Sequence, residues 1–288
     1  MKICAYIPVG PLDSMGFQYL SDIVLRENSK YFDKLYVVSS YRGTKSLPYE
    51  ADNIELISDE RSWFPLQNGK ELFTIKEYDD RHQFIFQLAR EDGYDFLLHI
   101  HINQLIDKRN FEKLYKYAQD IYDLNKDYGY LYKSYLIGKK IMVPDRRLPY
   151  LINLHSKKTF CWGADSLWVN NHKLYIKAHR SKNVEYFIYD IDGLLTEEDS
   201  KNRWDFYTIH LYKYAKYPLI WDYEVECLDR YKKWKSKKIF KCSFDKKLHE
   251  EILSRYSKDS LYRRNRIKRE LTNFIERAVK RIFRYFRI

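Results

Sequence analysis

The stretch YDFLLHIHINQLID, residues 94–107, decides how the chain is read. Phe96, Leu97 and Leu98 make a short apolar run of the kind that forms a buried strand. The run then ends on His99, His101 and Asn103. A period of two puts those three on one face and Ile100 and Ile102 on the other. Two histidines and an amide in that pattern can ligate a metal or grip a phosphate. They can equally be polar groups satisfied at the end of a strand. The choice depends on where in the fold this strand ends.

The flanking sequence supplies the frame. KICAYIPV (2–9), KLYVVSS (34–40) and NIELISDE (53–60) read as further strands. Residues 15–28 place Phe17, Leu20, Ile23 and Val24 at helical spacing, and the stretch from Leu72 to Arg90 reads as helical at least from Asp79 on. A third, over 108–125, puts Phe111, Leu114, Tyr115, Ala118, Ile121 and Tyr122 on one face. Apolar strands alternating with helices predict an α/β fold with a mostly parallel central sheet covered on both sides. Ligands of such sheets bind at the carboxyl ends of the strands. Here those ends are Pro8 to Gly10, Ser39 to Arg42, Asp59 to Arg61, and His99 to Asn103.

Residues 1–125 thus form one half of the expected domain. Residues 126–245 form a less regular, aromatic-rich half, with strands over 129–143, 149–162, 173–179 and 184–192 and a helix over 203–217. Residues 246–288 form a basic tail. Between Tyr256 and Ile288 eleven Lys and Arg face Asp259, Glu270 and Glu276, which gives this segment eight of the chain's twelve net positive charges. Ile267, Leu271, Phe274, Ile275, Ala278 and Ile282 recur in it at helical spacing. An apolar stripe flanked by arginine suits the surface of an anionic membrane. Arg263, Arg264, Arg277, Lys280, Arg281 and Phe283 are the residues expected there. A helix packed on the body with a solvated basic face would have the same pattern. Nucleic acid fits less well, because the charge is not interleaved with aromatics across the body.

Cys4, Cys161, Cys227 and Cys242 form no paired-cysteine motif, so they read as reduced thiols of a cytosolic protein. The first residues lack a long apolar signal segment, and no run reaches the roughly 18 apolar residues of a membrane span. The expected location is cytoplasmic, peripheral on the inner face of the membrane.

In order and spacing, three segments resemble nucleotide-sugar glycosyltransferases of the GT-A fold, closest in style to bacterial family 2. They are KICAYIPVG (2–10), DRHQFIFQLAREDGYDFLLHIHINQ (80–104) and FCWGADSLWVNNHKLY (160–175). LLTEEDSKNR (194–203) is loosely similar to that family's Glu-Asp motif, and the likeness covers roughly residues 1–220. It implies transfer of a sugar from a nucleotide-sugar donor to a glycan or lipid-linked glycan acceptor, in bacterial cell-surface polysaccharide or lipopolysaccharide synthesis. The departure lies in the opening stretch: the family's acidic D-x-D positions fall on His101 and Asn103, and the next acidic position on Gln104. Hard divalent cations prefer anionic oxygen ligands. The resemblance therefore implies a weakened or absent metal site, either metal-free or holding a weakly bound Mn²⁺ through His101 and Asn103.

The donor is expected near Pro8, Val9, Asp59, Arg81, His101 and Asn103, with Arg61, His82, Arg146 and Arg147 as further candidates for its phosphates. A base for the acceptor hydroxyl needs a carboxylate within hydrogen-bond reach. Asp199, Glu198 and Asp165 are the candidates, though each could be an ordinary turn or capping carboxylate. His155, His179 and His210 are spread through the second half. A nucleotidyltransferase is the alternative enzyme, but PVGPLDSMG (8–16) lacks the basic residue expected after its first strand.

Overall fold

The computed structural model describes residues 1–9, 18–39, 44–58, 66–67, 70–71, 83–137, 141–163, 166–170, 172–174, 177–178, 188–191, 240–241, 247–248 and 250–251. The strands are β1 (Ile3–Val9), β2 (Lys34–Ser39), β3 (Ile54–Ser58), β4 (Leu66–Gln67), β5 (Lys70–Glu71), β6 (Phe96–His99), β7 (Gln104–Leu105), β8 (Tyr128–Ile137) and β9 (Ile141–Asn153). They continue with β10 (Phe160–Gly163), β11 (Ser166–Val169), β12 (His172–Leu174), β13 (Lys177–Ala178), β14 (Ile188–Asp190) and β15 (Phe240–Lys241). The helices are α1 (Gln18–Ser29), α2 (Gln83–Glu91) and α3 (Lys108–Asp123). None of the described helices is long and apolar enough to cross a membrane.

The central sheet runs β3-β2-β1-β6-β9-β8-β14-β7, with β13 and β15 also pairing β9. The first four strands are parallel, as the alternating pattern predicts. From β6 onward the sheet changes: β9 is antiparallel to β6 and β8, and β7 is antiparallel to β14. The sheet is therefore mixed, not mostly parallel. The cause is a hairpin. Residues 129–143, expected as one strand, divide between β8 and β9. Tight reversals join antiparallel neighbours, whereas parallel ones need a long crossover. β9 extends through Arg146 and Arg147, which lie in the strand and not in a loop before Pro149.

Two irregularities in this hairpin coincide with prolines. Gly129 pairs Leu151 but Leu131 pairs Leu148, which leaves an extra residue around Pro149–Tyr150. Lys133 pairs Arg146 but Ser134 pairs Pro144, which leaves Asp145 over. Proline has no N–H for the ladder and is tolerated at bulges, which bend a strand and sharpen its twist. The bend is required. In a flat sheet β7 would lie four strand spacings from β6, about 19 Å away. The five-residue step from His99 to Gln104 spans at most about 18 Å fully extended. It also contains a turn, closed by Gln104 N–H on the His101 carbonyl at 2.9 Å. The sheet must curl to bring β14 to β7.

The core is centred on the parallel half, where Ile3, Tyr6, Ile7, Leu35, Tyr36, Val37, Phe96, Leu97 and Leu98 are fully buried and Ile23, Val24 and Leu25 of α1 pack with them, and it continues through Tyr150, Leu151 and Ile152 of β9 and Ile188 and Tyr189 of β14. On α3, Leu114, Ala118 and Ile121 are buried as expected, but Tyr122 is 54% exposed. Asn110 takes the inward place that periodicity misses, because it is bonded to Tyr189 on β14 and its N–H donates to the Asp107 cap at 2.8 Å.

Carboxylates pin the amino ends of the parallel strands. Asp33 accepts the Ile3 N–H at 2.7 Å, and Asp95 accepts the Lys2 N–H at 2.6 Å and meets His155 Nε2 at 2.7 Å. At the other end of the sheet, Asn28 of α1 substitutes for a strand partner of β7. Its amide donates to the Gln104 carbonyl at 2.9 Å and accepts the Ile106 N–H at 3.0 Å.

Two stability predictions follow from these pins. Asn28→Ala leaves two buried backbone groups unsatisfied and should cost about 3 kcal/mol, read by denaturant unfolding; a loss under about 0.5 kcal/mol would contradict the clamp. Partial burial opposes ionisation of Asp95, but the Lys2 N–H, His155 and the amino terminus outweigh it and hold the carboxyl below its usual value. A depressed carboxyl stabilises the fold above its unfolded pKa, and that contribution is lost as pH falls through the folded value. Asp95→Asn should therefore be less stable at neutral pH by about 1 kcal/mol. The difference should begin to shrink below about pH 4 and vanish only once the pH falls below the depressed folded-state value, in melts run across pH.

Candidate functional site

His99 is the last residue of β6, and the strict alternation expected to run on to Asn103 stops there. The chain turns over the next residues, so Ile100, Ile102 and Asn103 are all buried and His101 is half-buried. The turn is held at both ends: Ile100 N–H donates to Tyr6 of β1 at 3.0 Å, and Ile191 N–H donates to the Asn103 carbonyl at 2.9 Å. Gln104 closes it a second time, its side-chain oxygen accepting the His101 N–H at 2.9 Å. The position aligned with a third acidic residue thus has a structural task. The segment bridges the carboxyl-terminal part of β1 and β6 to the end of β14.

Around His99 lies a stack of rings. Its centroid is 5.2 Å from Tyr6, 4.9 Å from His101 and 4.5 Å from Tyr150. Tyr6, His99 and Tyr150 are buried. Tyr150 sits at a β9 bulge against β8, and on the β6 side it follows the Leu98–Leu151 pair, which places it opposite His99. Its hydroxyl lies 3.5 Å from His101 Nε2. The two histidines are therefore neighbours, though not by strand alternation.

Asn103 points elsewhere. Its amide nitrogen donates to Asp190 Oδ1 at 3.2 Å, and Asp190 Oδ2 lies 2.7 Å from the Lys133 ammonium. Asp190 is 1% exposed and ends β14; Lys133 stands on the neighbouring β8. Next to this group Tyr189, Asp107 and Asn110 form a second buried network, with Tyr189 donating to Asp107 Oδ2 at 3.0 Å. The divalent metal that the D-x-D carboxylates of the GT-A family would hold does not fit these residues. Among the described residues, the carboxylate bonded to the turn, Asp190, is ion-paired, Asn103 presents its donor side to it, and the His99 ring is stacked in the core.

The other candidates divide plainly. Pro8 and Val9 lie at the end of β1 with buried side chains, so they could meet a ligand through backbone only. His155 lies at the opposite end of the sheet, bonded to Asp95. Asp59, Arg61, Arg81, His82, Asp165, His179, Glu198, Asp199 and His210 lie outside the described residues, as do Arg263, Arg264, Arg277, Lys280, Arg281 and Phe283. Arg146 and Arg147 are described only as strand positions. Sequence reasoning missed Tyr150, Lys133 and Asp190. Tyr150 beside Pro149 was the available signal, since proline in a strand marks a bulge. Lys133 and Asp190 meet only through strand pairing distant in sequence.

No protein-family model matches the chain, and no curated protein matches it. Among solved structures it is similar to S. aureus TarS 1–349 in complex with UDP-GlcNAc, at 16% identity and a TM-score of 0.26 over 49% of this chain and 35% of that one. It is similar to S. aureus TarS at 12% identity and a TM-score of 0.26, over 49% of this chain and 22% of that one. A further structure of S. aureus TarS 1–349 aligns over 89% of this chain and 70% of that one, at 12% identity and a TM-score of 0.33. The chain thus spans about a third or less of the first two of these. Similarity at this level assigns no activity.

Proposed function

We propose that the chain is a glycosyltransferase with a GT-A-like arrangement, moving a sugar from a nucleotide-sugar donor to a glycan acceptor in bacterial cell-surface polysaccharide synthesis. The observation that carries this reading is the 100–104 turn at the carboxyl side of the parallel strands. That is where α/β sheets bind ligands, and there the chain gathers His101, Asn103, Lys133 and Asp190. The order of segments in the sequence supports the same reading. In it the donor diphosphate lies against the turn and the end of β1, with Asp59 and Arg81 contributing. The acceptor lies toward Asp165, Glu198 and Asp199, one of which takes the proton from the attacking hydroxyl. The chain works at the cytoplasmic face of the membrane, on a lipid-linked glycan such as a lipopolysaccharide precursor, held by the basic residues of 256–288.

A screen of UDP-, GDP-, CMP- and dTDP-sugars, UDP-GlcNAc among them, should find one donor that is bound and slowly hydrolysed. Binding of none would remove the reading. With that donor and its acceptor, Asp199→Asn, Glu198→Gln or Asp165→Asn should lower kcat by about a hundredfold or more at the true base, with little effect at the other two. Deleting residues 256–288 should release the protein from anionic liposomes in a sedimentation assay, since each basic residue near such a surface contributes about 1 kcal/mol. Undiminished binding by the truncated chain would make the tail a structural element.

A further inference from the structure

The carboxylate that the turn lacks arrives from another strand, and it arrives already paired. Asp190 ends β14, whose Ile188 pairs Lys133 of β8 in parallel register. Two residues on, Asp190 lies on the same face as Ile188, diagonal to Lys133. The ammonium meets Asp190 Oδ2 at 2.7 Å, with the lysine side chain 12% exposed and the aspartate side chain 2% exposed. The other oxygen accepts the Asn103 amide at 3.2 Å. Both carboxylate oxygens are thus engaged, and the amide is oriented by the carboxylate. Neither ion of a buried pair is stable without the other, because each has lost its hydration.

We infer that Lys133 is the built-in cation of this site: its ammonium, on the carboxylate that also accepts the Asn103 amide, occupies the place a divalent ion would take beside the turn, and so excludes the metal. The exclusion is chemical. A hard divalent ion seeks several oxygen ligands, anionic ones above all. To recruit Asp190 it would have to displace an ammonium 2.7 Å from Asp190 Oδ2, on a lysine side chain only 12% exposed. Histidine and asparagine at 101 and 103 then need no carboxylate between them, because the charge balance is set by β8 and β14. The role of this exclusion in donor binding rests on the reading of the turn as a donor site; the ion pair and its effect on metal binding do not.

The test uses the full chain, stripped of metal, and Mn²⁺ alone as the probe. Free Mn²⁺ is followed by electron paramagnetic resonance and stability by melting temperature. Wild type should take up no Mn²⁺ at the turn. Lys133→Ala uncovers Asp190 beside Asn103 and should melt lower. It should bind Mn²⁺ at least about tenfold more tightly than wild type, the scale on which neighbouring groups tune a metal site. Mn²⁺ should restore part of its melting temperature. The double variant Lys133→Ala/Asp190→Asn should lose that binding and need no Mn²⁺ to fold. If Lys133→Ala cannot be isolated folded, recovery on refolding with Mn²⁺ supports the inference, and failure both with and without Mn²⁺ overturns it. Tight Mn²⁺ on the wild type, a folded Lys133→Ala indifferent to Mn²⁺, or binding that survives Asp190→Asn would also overturn it. No nucleotide or sugar enters this assay, so its failure is distinct from failure of the donor screen.

Discussion

The step from His99 to Gln104 is too short for a flat sheet, and much of the architecture follows from that shortfall. β6 belongs to the parallel half and β7 to the far edge, with β9, β8 and β14 between them in the sheet order. A chain that leaves β6 and pairs with β14 after so few residues can do so only if the intervening strands bend. The two β9 bulges supply bending where proline has already removed a ladder hydrogen bond. The same curvature brings Asp190 to Asn103, while Tyr150 meets His99 across the adjacent β6–β9 pairing. Fold and candidate site are therefore consequences of one geometric demand.

Such a demand would cost stability if the polar groups it buries were left unmatched. The structure matches them from several directions. Asn28 supplies both a donor and an acceptor to the free side of β7, Gln104 closes the turn on both its N–H and its side chain, and Tyr189 reaches Asp107 and Asn110. Buried networks of this kind favour one arrangement over its neighbours because a one-residue slip would strand several groups together. That gives a two-residue strand, too short to hold by its own ladder, a fixed place.

The parallel half was legible from the chain because its signals are local. β1, β2, β6 and α3 declare themselves by apolar runs or helical period, and their observed limits lie within a few residues of those expected. The second half was less so, since the decisive event, a hairpin after Ile137, sits inside an otherwise continuous strand-like run. Alternation picked out His101 and Asn103 but placed them on a face of one strand. It could not show that the strand stops at His99. Lys133 and Asp190 were invisible for a different reason: 57 positions apart in the numbering, they meet by the pairing of β8 with β14, and no periodicity encodes that. Tyr122 errs the other way, an aromatic in the helical stripe that lies at its exposed margin against His155.

The helical residues near 250 carry one more consequence. Leu248 is buried in the core cluster, and Glu251 grips Arg26 of α1 at 2.5 Å, so the chain is moored to the body at that point. The basic segment begins only five residues later, at Tyr256. Those five residues reach at most about 18 Å. Whatever surface Tyr256 itself met would therefore lie within about 18 Å of the mooring on α1.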